Sequence, residues 1–232
     1  MRFLANLKCN HTRASFAKYA QILDANLSSN DVVTVFPPFS ALDLAAHKFK
    51  LGAQNFYPCE SGAHTGEIGK AMLDEFGIKS VLIGHSERRE LGESEELLHA
   101  KFDFAAKAGW QIVYCIGENL SVNEAGRTKE FLAGQLKNIE LSYERLLIAY
   151  EPVWAIGTGK SASAEQTRDI LNFIREQTSA PLLYGGSVNV ANIGGIAGIA
   201  NCDGVLVGTA SWDASGFLEL IRVVSHRYTS LS

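Results

Sequence analysis

The sequence lacks the charge pattern of a protein that binds a polyanion. Its 21 lysines and arginines are outnumbered by 25 aspartates and glutamates, which gives a net charge of −4. No block of basic residues interrupts this balance, so we expect neither a nucleic acid nor an anionic membrane as a partner. The balance does not argue against a small anionic substrate, because the groups that line a cleft set its local potential.

Cysteines are few and scattered. The chain has no Cys-x-x-Cys pair and no cluster of cysteine with histidine; the four cysteines are Cys9, Cys59, Cys115 and Cys202. This pattern predicts reduced thiols in a cytoplasmic protein rather than a disulfide framework. It also predicts no metal site, since zinc needs clustered ligands.

Long apolar runs are missing as well. The segment 1–6 reaches a polar residue before an apolar stretch can form, so we expect no secretory signal. The longest uncharged stretch, 177–202, contains a proline and three asparagines, which hydrocarbon would solvate poorly. We therefore expect no membrane-spanning segment.

The chain instead alternates short apolar runs with longer amphipathic segments. Hydrophobicity in the runs is continuous rather than alternating, which predicts strands buried on both faces, as in a parallel sheet covered by helices. The predicted strands are 3–5, 32–36, 52–55, 81–83, 112–116, 147–150, 182–184 and 205–207. Helical patterns are clearest at 12–27, 93–108, 163–177 and 215–226.

The spacing of these units predicts the architecture. Strand ends recur about every 29 residues, as expected for β-plus-helix repeats, and no linker or change of composition divides them. We predict one domain, residues 1–232, with an α/β fold closed into a (β/α)8 barrel. The alternative is an open doubly wound sheet, which usually has a glycine-rich turn after the first strand. This chain has Asn6-Leu7-Lys8 there, which favours the barrel.

Functional residues of such barrels collect where strands end. Those positions hold Asn6 and Lys8 after the first strand, His85 after the fourth and Glu151 after the sixth. Glycine-rich segments 185–187 and 208–209 follow the last two strands, where barrels frequently bind phosphate. A glutamate, a histidine and a lysine beside a phosphate could abstract a proton alpha to a carbonyl and stabilise the enediolate. This chemistry requires neither a metal nor a redox cofactor.

Three stretches at predicted strand ends carry a family resemblance. They read IGHSERR at 83–89, YEPVWAIGTG at 150–159 and YGGSV at 184–188. Along essentially its whole length the chain resembles the triosephosphate isomerase family. The resemblance implies a single-domain TIM barrel without a cofactor. It also implies a glycolytic and gluconeogenic aldose–ketose isomerase that interconverts dihydroxyacetone phosphate and D-glyceraldehyde 3-phosphate through an enediolate.

The resemblance also implies roles for individual residues. Glu151 would be the base that moves the proton, and His85 the neutral electrophile, a pairing known for this family. Lys8 would face the developing oxyanion and the phosphate, and Asn6 would orient the substrate oxygen. Glu87 would be a supporting carboxylate near Lys8. Backbone donors would hold the phosphate, with the Ser187 hydroxyl as an additional donor, at Gly157, Ser187, Gly208 and Thr209.

Two loops have implied roles. Segment 152–160 starts with a proline, ends in Gly-Thr-Gly-Lys and is apolar between, so it could close as a lid that excludes water. The alternative is an ordinary exposed loop. In the family, the loop at 61–68 inserts into a neighbouring subunit, which implies a homodimer with Thr65 at the contact. The alternative is a self-packed surface loop.

The chain departs from the family pattern at three places. Leu7 stands where the family commonly has tryptophan, and Thr209 replaces the second glycine of the pair after strand eight. The connections around the second and seventh helices are short. None of these departures removes a reactive group, so we expect effects on affinity or stability rather than on the type of reaction.

Three alternatives to an isomerase are an aldolase, a sugar-phosphate epimerase and a catalytically inactive binding scaffold. An imine-forming aldolase needs a lysine at a central strand end, and only Lys8 is available outside the lid. A metal-dependent epimerase needs histidine and aspartate ligands on several strand ends, where only His85 qualifies. A catalytically inactive scaffold predicts loss of the base or the histidine, yet Glu151 and His85 are both present.

Overall fold

Eight parallel strands form one sheet in a computed structural model that describes residues 1–155 and 162–229. The strands are β1 (Arg2–Asn6), β2 (Val32–Phe36), β3 (Lys50–Leu51), β4 (Ser80–Ile83), β5 (Gln111–Ile116), β6 (Leu146–Tyr150), β7 (Leu182–Tyr184) and β8 (Gly204–Val207). Their order across the sheet is β3-β2-β1-β8-β7-β6-β5-β4. β1 pairs in parallel with both β2 and β8, so the first and the last strand of the chain are neighbours in the sheet.

The sheet closes where its two outer strands meet. Ala53, just after β3, forms a bridge with Val81 of β4, and the amide of Leu82 donates to the carbonyl of Ala53 at 2.9 Å. The predicted (β/α)8 barrel is therefore confirmed. The predicted third strand at 52–55 is wrong in position: only Lys50 and Leu51 pair as a strand with β2. Beyond them, Ala53 turns from β2 to bridge β4.

Helices cover the outside of the barrel. They are α1 (Arg13–Asn26), α2 (Lys70–Glu75), α3 (Ser86–Glu90), α4 (Glu95–Lys107), α5 (Leu120–Glu124), α6 (Thr128–Leu136), α7 (Ala164–Arg175), α8 (Ile193–Ala197) and α9 (Ala214–Thr229). Side-chain caps fix the predicted starts: Ser94 accepts from the amide of Leu97, and Ser163 forms a capping box with Gln166.

One connection has no α-helix. Between β2 and β3 the chain forms only a three-residue 3-10 helix, Phe39–Ala41, followed by irregular backbone. His47 holds this segment to the end of α1: its Nδ1 lies 2.7 Å from Asp24 Oδ2 and its Nε2 lies 3.0 Å from Asp43 Oδ1. The connection from β7 to β8 contains only the five residues of α8. Both connections were expected to be short, but the repeat of one helix per strand is incomplete.

The apolar core has two parts because strand residues point alternately inward and outward. Inward residues fill the barrel: Leu4, Phe36, Leu82, Val113, Cys115, Leu147, Ala149, Leu183 and Leu206. Outward residues pack against the helices in a larger cluster. The filled interior leaves the carboxyl end of the barrel as a place where polar side chains can converge. Within the described ranges, no helix has the length and apolarity needed to cross a membrane.

Candidate active site

The strand-end residues predicted to act together line one cavity. It lies at the carboxyl end of the barrel, with a volume of about 300 Å³. Its lining includes seven of the predicted residues: Asn6, Lys8, His85, Glu151, Ser187, Gly208 and Thr209. Gly157, also predicted to bind phosphate, lies outside the described residues, as does the part of the predicted lid from 156 to 160.

Glu151 and His85 are in contact. Glu151 directly follows β6 and is only 2% exposed. Its Oε1 lies 3.3 Å from Nε2 of His85, and its Oε2 accepts a hydrogen bond from the amide of Ser86 at 3.0 Å. The carboxylate is therefore held beside the imidazole and in reach of the cavity.

The position of His85 selects one tautomer of its ring. His85 caps the start of α3, where Nδ1 accepts from the amide of Glu87 at 3.2 Å. A ring nitrogen that accepts a hydrogen bond carries no proton, so the proton of a neutral ring lies on Nε2. The Glu87 carboxylate lies farther off, with Oε2 3.8 Å from Nδ1. His85 thereby presents an N–H group toward Glu151.

Lys8 is fixed at both its side chain and its backbone. Its Nζ pairs with Oε1 of Glu87 at 2.7 Å, and its amide donates to Oδ1 of Asn6 at 3.0 Å. The backbone of Lys8 has φ of 51°, a left-handed conformation that is costly for a side chain of this size. Gln54 compensates by donating from Nε2 to the carbonyl oxygens of Lys8 and Phe36. Gln54 was not predicted, although it too follows a strand.

Two glycines let the backbone approach Glu151. A Cβ atom on Gly117 would lie 1.8 Å from the carbonyl oxygen of Glu151, and one on Gly185 would lie 2.9 Å from its Cγ.

Cys115 lies in the barrel interior below Glu151. Burial raises the pKa of the Cys115 thiol well above its usual range, and the nearby Glu151 carboxylate adds to this. The thiol therefore stays neutral beneath the carboxylate.

The glycine-rich segments lie beside the lysine. A Cβ on Gly208 would be 3.6 Å from Nζ of Lys8, so the cation lies next to this segment. Thr209 follows at the start of a 3-10 helix and is exposed. The carbonyl of Ser187 accepts from Asn192 Nδ2 at 2.9 Å, which anchors the other glycine-rich segment. A lysine cation beside glycine-rich backbone suits an anion such as phosphate.

Glu118 supports the start of the predicted lid. It is fully buried, and its Oε1 accepts from the Tyr150 hydroxyl at 3.2 Å and from Trp154 Nε1 at 2.9 Å. Its carbonyl accepts from the amide of Val153 at 3.1 Å. The sequence interpretation missed Glu118, although its place two residues after β5 is a strand-end signal.

The remaining predicted residues lie away from the cavity. Thr65 belongs to a loop in which every residue from Glu60 to Glu67 is exposed. Next to the site, Arg88 and Arg89 form ion pairs with Glu93 and Glu95. Across residues 1–155 and 162–229, no group of three or more histidine, cysteine or acidic side chains is arranged to hold a metal ion.

Comparisons with known proteins agree with this geometry. The profile of the Triosephosphate isomerase family matches residues 1–224. Proteins named triosephosphate isomerase from Campylobacter curvus (strain 525.92) and Campylobacter concisus (strain 13826) are 77% and 71% identical to the chain. These matches cover 95% and 97% of this chain and 97% and 100% of the relatives. One from Sulfurimonas denitrificans is 46% identical over 91% of this chain and 90% of the relative. The chain therefore belongs to the triosephosphate isomerase family, whose members are isomerases.

Proposed function

We propose that this isomerase interconverts dihydroxyacetone phosphate and D-glyceraldehyde 3-phosphate, with Glu151 as the base. The observation that carries the proposal is the 3.3 Å contact between Glu151 Oε1 and His85 Nε2 on one cavity. A base and an electrophile at this separation can act on adjacent atoms of one small substrate. The cavity, about 300 Å³, is at the small end of the range for ligand sites and suits a three-carbon phosphate.

The proposed reaction moves one proton between two carbons and one proton between two oxygens. The carboxylate of Glu151 removes a proton from the carbon next to the carbonyl, and the electron pair of that C–H bond forms the enediolate double bond as the carbonyl oxygen becomes negative. The N–H group at Nε2 of His85 donates a hydrogen bond to that oxygen. Glu151 then returns its proton to the neighbouring carbon, which was the carbonyl carbon. The oxygen on that carbon takes the Nε2 proton of His85, while the hydroxyl group on the first carbon gives its proton to Nε2 and becomes the new carbonyl, so both protons are accounted for.

Charge and polar groups support the enediolate. Lys8 would place its cation near the developing oxyanion and the phosphate, and Asn6 would orient the substrate oxygen. Such groups act strongly because they are fixed before the reaction; the contacts that fix them here are the Lys8–Glu87 pair and the Asn6 side chain on the Lys8 amide. Glu87 serves this arrangement as a supporting carboxylate.

Backbone donors would bind the phosphate. The positions are Ser187, Gly208 and Thr209, and the Ser187 hydroxyl is a further donor. The closeness of Gly208 to Lys8 supports this assignment, because an anion there would meet both amide hydrogens and a cation. Gly157 stays a prediction.

The chain would work as a homodimer with Thr65 at the contact. An exposed loop of eight residues, Glu60–Glu67, supports this proposal, since such a loop is available to a second subunit. We take residues 1–232 as one domain, because all eight strands share one sheet. Sedimentation equilibrium tests the assembly: a fully active particle with the mass of one chain would contradict it.

The reaction would belong to glycolysis and gluconeogenesis in the cytoplasm. All four cysteines are free thiols, which is the state that a reducing compartment maintains. No cofactor is needed for the proton transfer proposed above.

A coupled assay tests the function. Purified protein is given glyceraldehyde 3-phosphate, and the dihydroxyacetone phosphate formed is reduced by a dehydrogenase that oxidises NADH. We expect rapid NADH loss that chelators do not affect. Borohydride added with dihydroxyacetone phosphate should leave the activity intact, because Lys8 is held as an ion pair with Glu87. Inactivation with a covalent adduct on Lys8 would indicate an imine-forming aldolase instead, and no turnover would indicate an inactive scaffold.

A further inference from the structure

A second cavity lies at the other end of the barrel. It has a volume of about 600 Å³ and opens at the amino ends of strands β3 to β6, about four or five strand residues, or roughly 15 Å, from the carboxyl end. We call it the basal cavity. Its lining includes Phe49, Lys50, Phe76, Lys79, Gln111 and Arg145.

The missing helix explains why the basal cavity exists. The connection from β2 to β3 has no α-helix to cover this side of the sheet. In addition, β3 and β4 meet only through the bridge between Ala53 and Val81. Below that bridge the edges of the two strands stay apart, and Leu51 and Ser80 line the opening between them.

Positive charge surrounds the basal cavity. Lys50, Lys79 and Arg145 line it, and among the described residues no carboxylate belongs to its lining, although the chain as a whole has a net charge of −4. Lys79 pairs with Asp74 at 2.6 Å. Within the described part of the chain, no carboxylate forms an ion pair with Lys50 or Arg145. Arg145 donates from Nη1 to the carbonyl oxygen of Gly109 at 2.7 Å, but a carbonyl carries no counter-charge, so the charges of Lys50 and Arg145 are both available to an anion.

His47 adds a fourth basic side chain to the lining, but its charge is already matched. Its two ring nitrogens contact Asp24 and Asp43. Its ring stacks on Phe49, with the ring centroids 4.5 Å apart. His47 therefore shapes the apolar wall of the basal cavity rather than supplying free positive charge.

The walls are apolar and the floor is polar. Phe49, Leu51 and Phe76 form much of the wall, and the floor contains Ser80, whose Oγ is 3.4 Å from Gln111 Oε1. Apolar walls with a few polar groups and a charged mouth are the usual composition of a small-molecule site. An ion alone would leave the apolar wall unused.

We propose that the basal cavity binds a phosphate monoester that carries an aromatic group. The phosphate dianion would lie between Lys50 and Arg145, and the aromatic group would pack against Phe49 and Phe76. The volume is sufficient for a ligand of this size. The inference is independent of the isomerase reaction, because the two cavities share no lining residue among those described.

Residue-resolved NMR with phenyl phosphate tests the proposal. In ¹⁵N-labelled protein, the Gly77 amide and the Gln111 side-chain amide report on the basal cavity, while the Gly186 and Gly208 amides report on the candidate active site. We expect saturable shifts at Gly77 and Gln111. Inorganic phosphate should bind there at least about tenfold more weakly, because it lacks the aromatic group. Phenol should not bind measurably, because it lacks the phosphate. Shifts confined to Gly186 and Gly208, or equal affinity for inorganic phosphate, would overturn the proposal.

Charge-neutralising variants provide the control. The pair Lys50→Gln with Arg145→Gln should weaken phenyl phosphate binding at Gly77 by at least about tenfold. The pair Lys18→Gln with Arg168→Gln removes the same amount of positive charge from the exposed faces of α1 and α7. This control pair should leave phenyl phosphate binding at Gly77 unchanged. Lys50→Gln alone guards against a folding effect, since the Lys50 side chain makes no hydrogen bond with another described residue; it should weaken binding about threefold. Equal binding by all variants would refute the proposal.

Discussion

Nε2 of His85 and Oε1 of Glu151 lie 3.3 Å apart at the carboxyl end of the barrel. The two side chains come from different strands, and the same short helix fixes both: the Glu87 amide donates to His85, and the Ser86 amide donates to Glu151. Since backbone amides set both positions, the pair is arranged before any substrate enters. Such preorganisation is what an enediolate needs for stabilisation.

Replacing His85 with glutamine should reduce kcat by about 10²–10⁴-fold, the usual contribution of a positioned proton donor. Substrate binding should change little, because Lys8 and the glycine-rich segments keep their places. Steady-state kinetics of the His85→Gln variant measures both effects. An unchanged kcat, with the fold confirmed by circular dichroism, would remove His85 from the mechanism.

Gly185→Ala should act through the position of Glu151. The added Cβ would lie 2.9 Å from Glu151 Cγ, so the carboxylate must shift, and a misplacement of about 1 Å can cost about 10² in rate. Gly134→Ala is the matched control, because a Cβ at Gly134 in α6 meets no atom within 4 Å. The control should keep full activity and gain about 0.5–1 kcal/mol of stability. Equal kinetics for the two variants would contradict the prediction.

Glu93→Gln should destabilise the fold strongly. Glu93 is buried between Arg88 and Lys101, whose Nζ lies 2.6 Å from Glu93 Oε1. Burial lowers the pKa of Lys101 and the Glu93 carboxylate opposes this effect, so removing the carboxylate leaves a buried amine without its counter-charge. We expect a loss of about 3–5 kcal/mol, measured by urea unfolding.

Glu95→Gln is the control for that measurement. Glu95 pairs with Arg89, but its side chain is 49% exposed. Water screens such pairs, so the loss should be below about 1 kcal/mol. Similar losses for Glu93→Gln and Glu95→Gln would show that burial does not decide the cost of either pair.

His47 should make stability depend on pH. Burial lowers the pKa of His47, but the hydrogen bonds to Asp24 and Asp43 outweigh it, so the folded pKa is raised above the ordinary 6.5. Protonated His47 therefore stabilises the fold. This contribution is fully present below about pH 6.5 and disappears as pH rises through the raised folded pKa.

Urea unfolding of His47→Gln tests this dependence. The variant should lose about 1.5–3 kcal/mol near pH 5.5, the range for hydrogen bonds to charged groups, and clearly less near pH 9. His99→Gln serves as control, since His99 and Asp103 are both nearly half exposed and 3.6 Å apart. A loss for His47→Gln that is the same at both pH values would contradict the assignment.

Much of the fold could be predicted because its signals are local. Seven of the strands follow from continuous apolar runs, and the starts of α4 and α7 follow from the capping residues Ser94 and Ser163. The third strand failed because its two residues, Lys50 and Leu51, carry no apolar run of their own; they are ordered by pairing with β2. Pairing of this kind depends on the closed barrel and leaves no local pattern.

The residues of the candidate site likewise include some that the sequence predicts and some that it does not. Asn6, Lys8, His85 and Glu151 could be predicted because each lies at or just after the carboxyl end of a strand, and parallel strands bring such positions together. Gln54 was missed because the predicted third strand, 52–55, included it. Its role is to hold the left-handed backbone at Lys8, and that conformation cannot be seen in the sequence. The basal cavity was missed for a related reason: it results from an absent helix.

Glu151→Asp tests the central claim most directly. Shortening the side chain by one methylene keeps the charge but withdraws the carboxylate by about 1 Å from the reacting carbon, which should lower the isomerisation rate by at least about 10²-fold. The rate is measured in the coupled assay with both triose phosphates, and the unfolding midpoint shows that the variant is folded. A folded variant with a large loss of kcat is the predicted result. A rate indistinguishable from that of the unaltered chain would contradict the assignment of Glu151 as the base.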